Sequence, residues 1–104
     1  MTKTAERGNL EWIVGKVAEI LKVDAAALRT ATPVGANKEL WKVAAYAAYT
    51  IGDRNLVEVG AALGGADHSR VLYARTVVEK RMKVDPMFRL GVMKLLDELS
   101  IALF

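Results

Sequence analysis

The chain has 104 residues, 53% apolar and 26% charged, with two prolines and no cysteine. That is enough for one ordinary core and no more, and it excludes a disordered chain and a disulfide scaffold. The net charge is only +3, from 15 basic and 12 acidic residues, and the missing cysteines remove thiolate chemistry and cysteine zinc sites while fitting a reducing compartment. No apolar run approaches the ~18 residues that span a bilayer, and Met1-Thr2-Lys3 leads into a polar stretch, unlike a signal peptide. A soluble, cytoplasmic protein with no membrane partner is expected.

Residues 1–8 show no periodicity and read as a disordered N-terminus; residues 9–104 read as a single domain. Leu10, Ile13, Val14, Val17, Ile20 and Leu21 form one apolar stripe on a first helix. Asp24 is placed to cap a short second helix over Ala25 to Leu28, because its carboxylate accepts free N–H groups ahead of the alanines. Thr30 to Gly35 is a connector. A longer helix is predicted from Asn37 to Ile51, with Leu40, Val43, Ala44, Ala47 and Ile51 inward and Gly52-Asp53 ending it.

A short helix follows from Leu56 to Leu63, with Asn55 as its N-cap and Leu56, Val59 and Leu63 inward. Gly64-Gly65 breaks the chain, since paired glycines are cheap in turns and costly inside helices. Asp67 caps a helix predicted to reach Met82, with Val71, Ala74, Val78 and Met82 inward. Asp85-Pro86 is a restart signal, a cap followed by proline at the first helical position. The last helix carries Phe88, Val92, Leu95, Leu96, Leu99 and Leu103 at helical spacing. Without strand-like alternation or an internal repeat, the expected fold is all-α, a compact bundle of about five or six helices.

Two short helices joined by a tight glycine turn are the layout of a helix-turn-helix, whose second helix lies in the DNA major groove. Opposite Val71, the second helix presents Ser69, Tyr73, Thr76 and Lys80, with Asp67, His68 and Arg70 at its mouth. These side chains suit base edges and phosphates. The charge distribution agrees. From Asp67 to Lys94 the basic residues are Arg70, Arg75, Lys80, Arg81, Lys83, Arg89 and Lys94, against Asp67, Glu79 and Asp85. Up to Ala66 the two signs nearly cancel.

The stretch Leu56-Val57-Glu58-Val59-Gly60-Ala61-Ala62-Leu63-Gly64-Gly65-Ala66-Asp67-His68-Ser69-Arg70-Val71-Leu72-Tyr73-Ala74 resembles the signature of the C-terminal DNA-binding domain of the bacterial replication initiator DnaA. That family reads approximately S-L-x-E-I-G-x-x-F-G-G-R-D-H-T-T-V-x-x-A. The resemblance implies an all-α domain that binds a short duplex element through this motif and a basic loop. It implies that Asp67 and His68 are a base-reading pair, that Ser69 stands for the family's first threonine, and that the backbone N–H groups of Leu56 and Val57 hold a phosphate. It further implies a bacterial or phage-encoded, nucleoid-associated protein acting in transcription or replication.

The chain departs from the pattern in three places. The family arginine before the Asp-His pair is Ala66, and the second threonine is Arg70, a cation four positions along. The arginine-rich loop corresponds to Asn37 to Lys42, where Lys38 and Lys42 are the only cations. No GxxxxGK[ST] loop occurs, so nucleotide-driven assembly is missing. No cofactor and no metal are expected, and with one histidine and no nucleophile–base set the chain does not read as an enzyme.

Plainer readings stand beside these. Asp67 is a helix cap and Arg70 and Lys80 are solvated cations on the plainer reading, while Arg75 is expected to pair with Glu79 or Asp97. Trp12 and Trp41 are expected in the core, with exposure of Trp41 beside the DNA as the alternative. The apolar end Ile101-Ala102-Leu103-Phe104 packs in the core or marks a protein-partner or self-association surface. The rival to sequence-preferring duplex binding is therefore a protein-interaction module that kept this fold without binding DNA.

Overall fold

A computed structural model describes residues 9–52 and 55–103. The expectations for residues 1–8, Asp53 and Phe104 lie outside the described residues. Among those described there are six α-helices and no strand: α1 (Leu10–Leu21), α2 (Ala25–Leu28), α3 (Asn37–Gly52), α4 (Leu56–Ala62), α5 (His68–Val84) and α6 (Pro86–Leu103).

Side-chain caps set where most of these helices begin. The Asn9 carboxamide accepts from the Trp12 N–H at 2.9 Å, and Asp24 accepts from Ala26 at 3.0 Å. Asn55 accepts from Glu58 at 2.8 Å, and Asp85 accepts from the Phe88 N–H at 3.0 Å. Each satisfies one of the N–H groups that the first turn of a helix leaves without an intrahelical acceptor.

Helix α3 is the centre of the bundle and packs against all five others. Ala44, Ala45, Ala47 and Ala48 are each fully buried, and these short side chains let neighbouring backbones close in from more than one side. The predicted inner face of this helix needs correction. Trp41, Ala45 and Ala48 belong to the core, whereas Leu40, Val43 and Ile51 are partly buried at its margin. Burial on more than one side gives a wider inner surface than the one stripe that periodicity favours.

Three boundaries also shift slightly. Helix α3 takes in Gly52, Leu63 is the C-cap of α4, and α5 runs two residues past Met82. The turn between α4 and α5 is anchored on one atom: the Gly60 carbonyl oxygen accepts from the N–H groups of Leu63, Gly65 and Ala66 at 3.0–3.1 Å. Val59, Leu63, Ala66 and Val71, all buried, fix this pair of helices to the common core.

Candidate nucleic-acid interface

Helix α5 buries only Val71, Ala74 and Val78 of its seventeen residues. The rest of its surface is turned outward or half-buried. Ser69, Tyr73, Thr76 and Lys80 are all exposed, and their spacing puts them on one face. The Thr76 hydroxyl donates to the Leu72 carbonyl at 3.0 Å within the same helix. Lys83, three residues beyond Lys80, is exposed too and extends the row. Its spacing of three from Lys80 and seven from Thr76 is the sequence signal for that placement.

Asp67 is the N-cap of α5. One carboxylate oxygen, Oδ1, accepts from the N–H groups of Ser69 at 2.8 Å and Arg70 at 3.2 Å. The capping role is thus present, with Oδ2 left as a possible acceptor for another donor. His68 and Ser69, the first two residues of the helix, are exposed and make no side-chain hydrogen bond with any described residue.

Arg70 has a different setting. Its guanidinium donates to the carbonyl oxygen of Ala31 in the α2–α3 connector and lies over the ring of Trp41, 5.3 Å from the centroid. Both partners are neutral, so its charge is not cancelled, but the side chain is drawn toward the connector. No sequence signal points to Ala31. Trp41 is only 2% exposed, which removes it as an exposed DNA contact. Lys38 is exposed and Lys42 half-buried beside the same place; the Lys42 ammonium sits 5.8 Å from the Tyr73 ring centroid and 3.5 Å from Glu39.

Ion pairing divides the basic residues of the second half. Arg75 pairs with Glu79 at 3.6 Å, as expected, and covers the Tyr49 ring. Arg81 reaches Glu39 at 3.4 Å and Asp85 at 3.5 Å. Arg70, Lys80, Lys83, Arg89 and Lys94 form no ion pair with any described residue. Most of the excess positive charge is therefore uncompensated, which is what a phosphate-facing surface requires.

No protein-family model matches this chain. The resemblance to the initiator's domain extends over most of residues 10–100, and only Leu56–Ala74 is a specific part of it. Within that stretch, Ala66 stands where the family pattern has an arginine, and here it is a core residue. Leu56 is partly buried against the core and Val57 is 65% exposed. As the first two residues of α4 they carry N–H groups that have no intrahelical acceptor.

Proposed function

We propose that this chain binds double-stranded DNA with a sequence preference, α5 entering the major groove as the second helix of a helix-turn-helix. The exposed row from Ser69 to Lys83 on one face of α5 carries the reading. Asp67, His68 and Ser69 sit at the mouth of the helix, where such motifs meet base edges. Lys80 and Lys83 take phosphates further along, with Lys38 and Lys42 as cations for the flanking strand and the α4 N–H groups of Leu56 and Val57 as a backbone contact. Arg70 holds the connector against the reading helix. The role is that of a DnaA-like regulator of transcription or replication, in the cytoplasm and on the nucleoid. Titrating a labelled duplex by fluorescence anisotropy tests it: with four phosphate contacts, affinity falls about a hundred-fold between about 50 and 200 mM salt. A flat response contradicts it.

A second reading, a protein-partner or self-association module, is favoured by one observation. Met87, Leu90 and Met93 near the start of α6 and Ile101 near its end are large apolar side chains at least half exposed. Scattered apolar exposure is ordinary, so this reading stands behind the first. Sedimentation at increasing concentration tests its self-association arm: a monomer up to high concentration removes that arm.

A further inference from the structure

Between the first turns of α3 and the start of α5 lies a cavity of about 340 Å³, bordered by Pro33, Lys38, Trp41, Lys42, Arg70 and Tyr73. Its size is at the lower end of the ~300–1,000 Å³ typical of small-molecule sites. Three of its border residues are cations. Among the described residues the one carboxylate on the border, Asp67, already accepts two backbone N–H groups at the α5 N-terminus. Tyr73 offers a ring that is 63% exposed. Trp41 adds an indole N–H that is buried and has no acceptor among the described residues, an unmet donor of the kind that native interiors rarely leave.

We propose that this cavity is a nucleotide site, with a phosphate held by Lys38, Lys42 and Arg70 and the attached flat ring laid on Tyr73. Cations with an apolar floor and an exposed ring select a phosphate joined to a planar group over either part alone. Arg70 is held in place by Ala31 and Trp41, and Lys42 by Glu39 and Tyr73, so two of the three cations are ordered before a ligand arrives. The nucleotide comes either from a DNA strand or as a free mononucleotide; the chemistry recognised is the same. The inference shares side chains with duplex binding but stands without it, because its test contains no duplex.

The test is an NMR titration of the full ¹⁵N-labelled chain with adenosine 5′-monophosphate, adenosine and inorganic phosphate. Saturable shifts are expected at the Trp41 indole and at Tyr73 and Arg70, with a Kd of about 1 mM or tighter for the monophosphate. Adenosine and phosphate alone bind at least about ten-fold more weakly, each forfeiting about 1.4 kcal/mol or more. Lys38→Glu, at an exposed position with no ion pair to any described residue, weakens the monophosphate by a similar factor, and Tyr73→Ala lowers it to the level of phosphate. Shifts that do not saturate, that fall elsewhere, or that are unchanged in Lys38→Glu overturn the proposal. Adding a short duplex then identifies the source. Loss of the monophosphate shifts places a strand phosphate in the cavity, simultaneous binding makes it a free-nucleotide site, and either supports the site.

Discussion

The Arg70 guanidinium lies over the Trp41 indole at 5.3 Å and donates to Ala31, so one side chain joins α5, α3 and the connector. Replacing it by alanine removes a stacked cation and a charge-assisted hydrogen bond, together about 1–2 kcal/mol. The melting temperature should fall by roughly 5–10 °C for a chain of this size. Arg70→Lys should recover little of this, because an ammonium lacks the planar fork that stacks and donates together. Thermal unfolding by circular dichroism checks both variants, and an unchanged midpoint in Arg70→Ala contradicts the bridging role.

The glycines of the α4–α5 turn are expected to differ sharply from one another. A Cβ on Gly60 would stand 2.0 Å from the Ala66 carbonyl oxygen, and one on Gly64, at φ +90°, would stand 2.4 Å from Thr30 Cα. Both neighbours are backbone, so alanine at either position should cost several kcal/mol or prevent folding. Gly65, at φ +84° but with nothing within 4 Å, should cost only the left-handed strain of about 1–2 kcal/mol. Gly91→Ala, in an open position on α6, should stabilise by about 0.5–1 kcal/mol. Denaturant unfolding of the four single variants gives the order directly.

Asp67 combines a measurable structural role with a proposed reading role, and two substitutions separate them. Asp67→Ala loses the cap and should cost about 1 kcal/mol. Asp67→Asn keeps an oxygen acceptor for the Ser69 and Arg70 N–H groups, so stability should hold within about 0.5 kcal/mol. If the carboxylate reads a base, the asparagine variant nonetheless changes its preferred duplex, because its second group is a donor. An unchanged preference in a stable Asp67→Asn protein would limit this residue to capping.

Much of the fold was legible because local signals and burial agree. Asp24, Asn55, Asp67 and Asp85 each cap the helix that they were expected to cap, and Val71, Ala74 and Val78 form the buried stripe of α5. The inner face of α3 was read only in part, since a central helix buries more than one stripe and alanine is a weak periodic signal. At the candidate site, the exposed face of α5 followed from spacing alone. The setting of Arg70 did not, because it depends on a carbonyl 39 residues away, and no side-chain pattern announces a backbone acceptor. The reach of Arg81 to Glu39 on α3 is likewise a tertiary fact, whereas the Glu39–Lys42 pair is a local contact three residues apart on one helix.

Lys80 and Lys83 carry no ion pair with any described residue, so their removal should act on binding and leave stability nearly unchanged. The double variant Lys80→Gln, Lys83→Gln should weaken all duplexes alike and reduce the slope of log affinity against log salt by about 2. Arg81→Gln is the contrast. Its charge is already engaged with Glu39 and Asp85, so it should leave the slope almost unaltered.

Selection from a pool of random duplexes tests sequence-preferring binding through α5 most directly. Enrichment of one short element is predicted, with a changed element when His68 and Ser69 are replaced by alanine in a protein that keeps its melting temperature. No enrichment over successive rounds, or the same element from the His68 and Ser69 variant, would contradict it.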